Sequence, residues 1–176
     1  MKNISLSQEV KTIVRGMVSN AAKFKLEVLT TFLLFDSMMS QKQFSSLIAK
    51  YSSCNLEGII NLIENIYKNN PFGFNEKEVE TIEERDYFIS VLKDSDIDNP
   101  QNFIFSQWIA NVFFFAYILV ESDEEQELTL SHLTLALFNN LNDQMLSFFT
   151  DIGTNIEQLI SQVEYLSLLD SCIEDD

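Results

Sequence analysis

One histidine and two cysteines are the side chains in this sequence best suited to nucleophilic or metal chemistry. His132 has no second histidine or cysteine near it in sequence, and Cys54 and Cys172 are far apart. A zinc module needs closely spaced ligands, and a Cys–His nucleophile needs its two side chains in contact. We therefore expect His132 to be a hydrogen-bonded polar residue near a helix start. We expect no catalytic residue and no metal site, and the unplaced Cys/His set remains as an enzymatic alternative.

The acidic residues do not form a recognisable site either. The run Asp94-Ser95-Asp96-Ile97-Asp98 begins like a calcium loop, but Asn99 replaces the turn glycine and Phe105 replaces the final glutamate. We expect a solvated turn there, and the acids at Glu83-Glu84 and Glu121–Glu127 to be exposed surface. The sequence also lacks a G-x-x-x-x-G-K-[ST] phosphate loop. These observations predict no cofactor and no enzymatic activity.

Composition favours a helical protein whose partners are other proteins. The chain has 176 residues, a formal charge of −16 and 46% hydrophobic residues, with only four Gly and two Pro for turns. Such a charge repels nucleic acid and anionic membranes.

The N-terminal sequence lacks the apolar core of a signal peptide, so we expect a soluble, cytoplasmic protein with reduced thiols. Phe103–Val120 has the length of a membrane span but contains Ser106, Gln107 and Asn111, which favours a helix buried on most sides in a bundle.

Similar segments recur along the chain and indicate an internal repeat. Leu29–Met38 resembles Thr129–Phe138 one hundred positions later, and the same offset places Asn55-Leu56-Glu57 on Asn155-Ile156-Glu157. Upstream, Leu6-Ser7-Gln8 resembles Phe105-Ser106-Gln107 at an offset of ninety-nine. The fold class predicted is all-α, with two pseudo-symmetric four-helix repeats in one bundle and a connecting helix between them. The predicted helices are Leu6–Lys23, Thr30–Met39, Lys42–Tyr51 and one from Asn55, then Phe105–Val120, Leu130–Asn139, Asp143–Asp151 and one from Asn155.

The domain prediction is a single unit spanning residues 1–176. It comprises repeat one at 5–68, a connecting segment at 69–102, repeat two at 103–169 and an acidic tail at 170–176. A helix from Asn75 to Lys93 is predicted in the connecting segment, with Val79, Ile82, Ile89 and Leu92 on one side. This helix is either an amphipathic linker packed on the bundle or a docking element for a partner.

Two motifs in the second half resemble a known family. Leu128–Phe138, LTLSHLTLALF, resembles the Clp N-domain motif I-T-x-E-H-L-L-L-A-L-L, and Phe148–Leu159, FFTDIGTNIEQL, resembles the L-x-x-x-G-v-d-x-x-x-L stretch that follows it. Val28–Met38 and Leu47–Ile59 fit the same motifs more loosely. The chain thus resembles the twin four-helix repeats at the N-terminus of Clp/Hsp100 unfoldases. The resemblance implies a non-catalytic module that binds a short helix or peptide of a substrate or adaptor, because in that family ATP is hydrolysed by separate AAA+ modules.

Departures from the family motif narrow this resemblance. The glutamate before the motif histidine is replaced by Thr31 and Ser131, and the histidine itself corresponds to Phe32 in the first half and His132 in the second. In family members that bind phosphoarginine, that glutamate holds the guanidinium, which a hydroxyl cannot do with comparable strength. The divergence resembles ClpV-type N-domains, which act in type VI secretion by taking a short helix of a sheath subunit.

Two kinds of protein partner remain open. If the chain is a fragment, its parent ATPase would be hexameric; a free-standing accessory subunit that braces or regulates a Clp protease/ATPase assembly is the alternative. By analogy with the ClpV groove near the first helix, the predicted partner-binding residues are Leu6, Val10, Val14, Met17, Phe72 and Phe74. The two phenylalanines stand beside Pro71 and Gly73, where they are either an exposed anchor or a plug over the core.

Overall fold

The computed structural model describes residues 2–69 and 82–173, with side chains described as far as Tyr165. Within these ranges, helices dominate and the strands are only two residues long. The first half comprises β1 (Ser5–Leu6), α1 (Gln8–Lys23), β2 (Val28–Leu29), α2 (Thr31–Met38), α3 (Lys42–Lys50) and α4 (Leu56–Asn69). Helix α5 (Ile82–Asp94) and a 3-10 turn (Pro100–Asn102) lead to the second half, which comprises β3 (Ile104–Phe105), α6 (Gln107–Ser122), β4 (Glu127–Leu128), α7 (Leu130–Phe138), α8 (Asp143–Asp151) and α9 (Ile156–Ile173). The predicted all-α fold class, with two repeats and a connecting helix, is confirmed.

The two halves have the same order of elements, with one correction to the predicted alignment. Thr30 caps α2 and Thr129 caps α7, so the offset is still ninety-nine at these helices and not one hundred. The first-half counterpart of His132 is therefore Leu33, and the prediction of Phe32 was wrong. The offset changes only later, because α7 and the turn after it are longer than their counterparts, so that α8 begins at Asp143 and α3 at Lys42.

The short strands join the two halves reciprocally. β1 pairs in parallel with β4, aligning Ser5 with Glu127, and β2 pairs in parallel with β3, aligning Val28 with Ile104. Each pair contains one strand from each half. At the repeat offset of ninety-nine, β1 is equivalent to β3 and β2 is equivalent to β4, so the two pairs are equivalent to each other. The sequence did not predict these strands, because two residues are too few to show the alternation of a half-buried strand. The pairings hold the two repeats together as one body.

Matching polar side chains begin the equivalent helices. The Ser7 Oγ accepts from the Val10 backbone N–H at 3.3 Å, and the Ser106 Oγ accepts from that of Ile109 at 3.1 Å. The predicted asparagine caps are also confirmed: the Asn55 Oδ1 accepts from the Gly58 N–H at 2.8 Å, and the Asn155 Oδ1 accepts from the Gln158 N–H at 3.1 Å. Each cap satisfies a backbone N–H that the helix leaves unpaired.

The ends of α1 and α6 are also equivalent. Lys25 and Glu124, ninety-nine positions apart, both adopt left-handed backbone conformations, with φ values of 55° and 59°. After each, a backbone N–H turns back to the last helical turn: Leu26 donates to the Ala21 carbonyl and Glu125 to the Val120 carbonyl. This geometry is typical of helix C-termini that end in a left-handed residue.

Phenylalanine side chains from both halves form the centre of the bundle. The Phe35 ring of α2 lies 5.3 Å from the rings of both Phe148 and Phe149 of α8, in edge-to-face orientations. Phe32 contacts Phe148 similarly, at 5.4 Å. Such edge contacts between buried rings contribute beyond the area that they bury. The core is therefore shared between the repeats.

Helix α5 packs against α6 as a linker helix. Tyr87 lies 4.9 Å from Tyr117 between ring centroids, and Phe88 lies 5.2 Å from Phe113. The predicted apolar side was wrong in one respect: Ile82 is 73% exposed, because the helix turns a different set of residues inward. That buried set is Tyr87, Phe88, Val91 and Leu92. The predicted start at Asn75 and the predicted apolar residue Val79 lie outside the described residues.

Helix α6 contains most of the segment that has the length of a membrane span. Phe113 is fully buried in it, while Phe114 and Phe115 are partly buried. In the part of the chain that the structure describes, no helix combines the length and the apolar character that a membrane crossing requires.

Candidate functional site

Four of the predicted partner-binding residues are core residues in the structure. Leu6 is 4% exposed, and Val10, Val14 and Met17 have no exposed surface. Helix α1 turns its apolar side toward the bundle interior, as the spacing of these residues requires. Because a partner would have to uncover α1 to reach them, their part in binding stays a prediction. Phe72 and Phe74 lie outside the described residues.

Both ring nitrogens of His132 have hydrogen-bond partners at the start of α7. Its Nδ1 accepts a hydrogen bond from the Thr129 backbone N–H at 3.1 Å and lies 2.8 Å from the Thr129 Oγ1. On the other side of the ring, Nε2 lies 3.2 Å from a carboxylate oxygen of Glu125. An Nδ1 that accepts places the proton on Nε2, which then donates to Glu125. The prediction that His132 is a hydrogen-bonded residue near a helix start is confirmed.

The same histidine belongs to a group with metal-ligand chemistry. Asp123, Glu125 and His132 each have a potential ligand atom within 4.8 Å of the others. In the arrangement just described, Nε2 carries the ring proton and Nδ1 accepts a hydrogen bond from Thr129. Neither ring nitrogen therefore offers a free lone pair to an ion. We therefore interpret His132 and Glu125 as part of the cap at the start of α7.

A small cavity lies between α3, α7 and α9. Its volume is about 110 Å³, and Phe44, Leu47, Leu130, Ser131 and Thr134 are among the residues that line it. Gln43 and Val163 complete the described lining, which contains no charged side chain. A guanidinium placed there would meet no carboxylate among the described lining residues. This agrees with the substitution of Ser131 at the position where the resembling family has glutamate.

The outward side of α6 presents an apolar surface that sequence analysis missed. Trp108 is 39% exposed and Ile118 is 43% exposed, and the half-buried Phe115 and Leu119 share their helix face. Residues at these spacings fall within a sector of about 100° on a helix, a sector that the half-buried Asn111 shares. We call this set, Trp108, Phe115, Ile118 and Leu119, the α6 stripe. A signal was present in the sequence, because apolar residues occur on all sides of α6, whereas a helix that is packed on one side only has polar residues on the other.

Net charge is divided unequally between the two parts of the chain. All 11 Lys and Arg residues lie at or before Lys93, together with 11 acidic residues. Residues 94–176 contain the other 16 acidic residues and no Lys or Arg, so they account for the entire formal charge of −16. Several of these acids follow the α6 stripe directly, and Asp123, Glu124 and Glu127 are exposed there. An apolar strip with an acidic end is chemically suited to a partner that is apolar and basic.

Comparison with known proteins identifies the fold. No family model matches the sequence, and no curated protein is significantly similar to it. Among solved structures, the fold is that of a Clp chaperone N-terminal domain. The chain resembles the N-terminal domain of the caseinolytic protease associated chaperone ClpD from Arabidopsis thaliana with a TM-score of 0.65 and 13% sequence identity, over 97% of each chain. The expected Clp N-domain fold is thereby confirmed.

Proposed function

We propose that this protein is a non-catalytic docking module for a Clp-type AAA+ unfoldase. In this role it binds a short helix or peptide of a substrate or adaptor in the cytoplasm. The observation that carries the proposal is the likeness to the ClpD N-terminal domain over 97% of both chains. Because that likeness extends over both repeats, the proposal concerns the whole double-repeat unit and not an isolated helix pair.

Two features of the described residues support a binding role over a catalytic one. His132, the only histidine in the chain, is engaged by Thr129 and Glu125 in capping a helix. The α6 stripe exposes apolar surface, including a tryptophan, and tryptophan is enriched among residues that dominate interface energies.

The narrower form of the proposal is a module of the ClpV type, which handles contracted sheaths in type VI secretion. Its support is the departure from the family motif at Ser131, which stands where the family has glutamate. The cavity beside Ser131 adds support, since its described lining offers no carboxylate for a phosphorylated arginine. A sheath subunit that presents a short helix is the expected ligand in this case.

Affinity capture from a lysate of the source organism, followed by mass spectrometry, tests the proposal. Recovery of a sheath protein, an adaptor or unfolded client proteins supports the docking module and identifies its ligand class. Recovery of intact Clp ATPase or peptidase subunits, without adaptor or client, supports the alternative, an accessory subunit that braces or regulates such an assembly. Recovery of neither group contradicts the proposed function.

A further inference from the structure

The α6 stripe differs from the equivalent surface of the first half. At the offset of ninety-nine, its four members correspond to Glu9, Gly16, Ser19 and Asn20 on α1. The exposed pair Trp108 and Ile118 corresponds to the exposed Glu9 and Ser19, so the fold itself does not require these two positions of α6 to be apolar. Gly16 and Asn20, in contrast, face Ser37 and Asp36 of α2. Exposed apolar surface that the scaffold does not need is typical of interaction sites.

Acidic residues at one end of the α6 stripe favour a partner with positive charge at that end. Beyond Leu119, the chain continues through Glu121, Asp123 and Glu124 with no Lys or Arg in the same segment, and no described Lys or Arg forms an ion pair with them. The C-terminus of α6 adds the negative end of a helix dipole at the same place. A partner that covers the stripe therefore meets negative potential at one end.

We propose that the α6 stripe docks an amphipathic helix that has Lys or Arg residues clustered at one end, an inference that rests on the proposed docking function. Trp108 and Leu119 are eleven positions apart, about 16 Å along a helix, so a partner helix of about three turns spans the stripe. Its apolar side covers Trp108 and Ile118, and its basic end lies over Glu121 and Asp123. This arrangement combines an apolar helix face with charge steering of the encounter.

Two other occupants are disfavoured by charge. The segment 70–81 of this chain contains Glu76, Glu78 and Glu80 against Lys77 alone, so it would bring like charge to the acidic end of the stripe. A second copy of the chain would bring a further formal charge of −16. Like charges placed opposite each other oppose association. A basic partner is the occupant that this surface favours.

Fluorescence anisotropy with a synthetic peptide tests the proposal. The probe is a fluorescein-labelled amphipathic helix of about 14 residues, long enough to span the stripe, with leucines on one face and four lysines at one end. Its matched twin has glutamates in place of the lysines. We expect the basic peptide to bind the full chain, the acidic twin to bind at least about tenfold more weakly, and added salt to weaken the binding of the basic peptide.

The chain offers a matched pair of variants for the same assay. Ile118→Glu places a charge in the stripe, and Ser19→Glu places the same charge at the equivalent exposed position of α1. We expect Ile118→Glu to weaken binding of the basic peptide by at least about tenfold and Ser19→Glu to change it by less than about twofold. Equal effects of the two variants, or equal binding of the two peptides, would overturn the proposal. Thermal melts of both variants establish that each is folded.

Two further outcomes would identify a different occupant. A dimer of the wild-type chain that Ile118→Glu dissociates, measured by analytical ultracentrifugation, would assign the stripe to a second copy. Tighter peptide binding after Phe72→Ser and Phe74→Ser would assign it to segment 70–81. Either result overturns the proposal.

A photo-crosslinking amino acid separates failure of this surface from failure of the proposed function. It is placed at Trp108 in one variant and at Glu9 in the other, and both are expressed in the source cells. Crosslinks to an adaptor or client protein from position 108 alone support the proposal. Crosslinks from position 9 alone leave the docking function intact and overturn the α6 assignment. Crosslinks from neither position overturn both.

Discussion

Helices α1 and α6 show how two copies of one scaffold can share a fold and differ in surface. Both begin at a serine cap, both end at a left-handed residue, and both lie between two short strands. Their outward faces are opposite in character, since Glu9 and Ser19 in α1 correspond to Trp108 and Ile118 in α6. Caps and buried positions therefore maintain the fold, while the exposed positions are free to acquire a function. In this chain the second half carries the apolar stripe and, together with the turn at residues 94–102 that precedes it, the entire net charge.

The contact between α1 and α2 also differs from the contact between α6 and α7 at equivalent positions. In the first half, Gly16 lets α1 approach Ser37 of α2 closely, whereas the counterparts in the second half are Phe115 and Ala136. The first half also buries a polar cluster, in which the Asp36 carboxylate accepts hydrogen bonds from Tyr67 at 3.0 Å and from Asn20 at 3.1 Å. Leu135 and Leu119 stand at the positions equivalent to Asp36 and Asn20. At these positions α1 and α2 pack closely through polar side chains, whereas α6 and α7 have apolar side chains.

The largest predicted effect concerns the place where the loops of the two halves meet. Gly153 has a φ of 67°, and a Cβ added there would lie 2.5 Å from the Ser53 Oγ and 2.7 Å from the Ser53 Cβ. Ser53 lies opposite it in the loop between α3 and α4, and the Ser53 N–H donates to the Gly153 carbonyl at 3.2 Å. We expect Gly153→Ala to lower the free energy of unfolding by about 2–4 kcal/mol, from backbone strain and overpacking together. Urea denaturation measures this loss.

A double variant separates the two causes at this joint. Adding Ser53→Gly to Gly153→Ala removes the close contact and leaves the backbone strain. The double variant is expected to recover the overpacking part, about 1 kcal/mol or more. No recovery would mean that the clash contributes nothing and that the loops do not meet as described.

The next effect tests the close approach of α1 and α2. A Cβ on Gly16 would lie 2.5 Å from the Ser37 Oγ, which donates a hydrogen bond to the Ile13 carbonyl at 2.6 Å. Gly16→Ala gains helix propensity but displaces this hydroxyl, so we expect a net loss of about 1 kcal/mol in unfolding free energy. Adding Ser37→Ala, which introduces the residue found at the equivalent Ala136, is expected to restore or exceed wild-type stability. Additive losses in the double variant would contradict the contact.

Sequence analysis predicted the fold largely because caps and buried positions repeat together. Asn55 and Asn155 were identified as caps, and both accept the expected backbone hydrogen bonds. The register at Thr30 and Thr129 was one residue off, because apolar residues are so frequent in α2 and α7 that two alignments match almost equally well. Cap geometry decides between them, and a sequence does not contain it.

The exposed apolar surface of α6 was not predicted from the sequence, for a physical reason. An apolar stripe at helical spacing predicts burial, and the buried Val10 and Val14 follow that rule, while their part in binding stays a prediction. Helix α6 has apolar residues on all sides, so periodicity cannot tell which side faces solvent. Only the packing of α5 and α7 against it determines that Trp108 and Ile118 are exposed.

A smaller effect is predicted at the polar cluster of the first half. Burial raises the pKa of Asp36 above its ordinary value of 3.8, although hydrogen bonds from Tyr67 and Asn20 and the charge of Lys23 oppose the shift. Because the folded state holds this proton more tightly than the unfolded state, Asp36 lowers stability as the pH rises from 3.8 through its folded pKa. Asp36→Asn removes this dependence. Relative to wild type, the variant is therefore expected to become more stable as the pH is raised from 4 to 7, in thermal melts.

The exposed Asp86 provides the matched control for this prediction. Asp86→Asn makes the same chemical change on the surface and is expected to leave the pH dependence of wild type unaltered. If the difference between Asp36→Asn and wild type stays constant over this pH range, the carboxyl group of Asp36 does not titrate differently in the two states. The polar cluster would then contribute nothing to the contrast between the two halves.

The smallest effect tests what the two halves have in common. Lys25 and Glu124 end α1 and α6 in left-handed conformations that favour glycine. Lys25→Gly and Glu124→Gly are each expected to raise the free energy of unfolding by about 0.5 kcal/mol, because relief of the left-handed strain exceeds the added entropy of the unfolded chain. Lys23→Gly in the last turn of α1 is the control and is expected to destabilise by up to about 1 kcal/mol. Similar gains at both positions would show that the helix ends remain energetically equivalent, whereas a gain in one half alone would mean that the divergence between α1 and α6 extends from their surfaces to their caps.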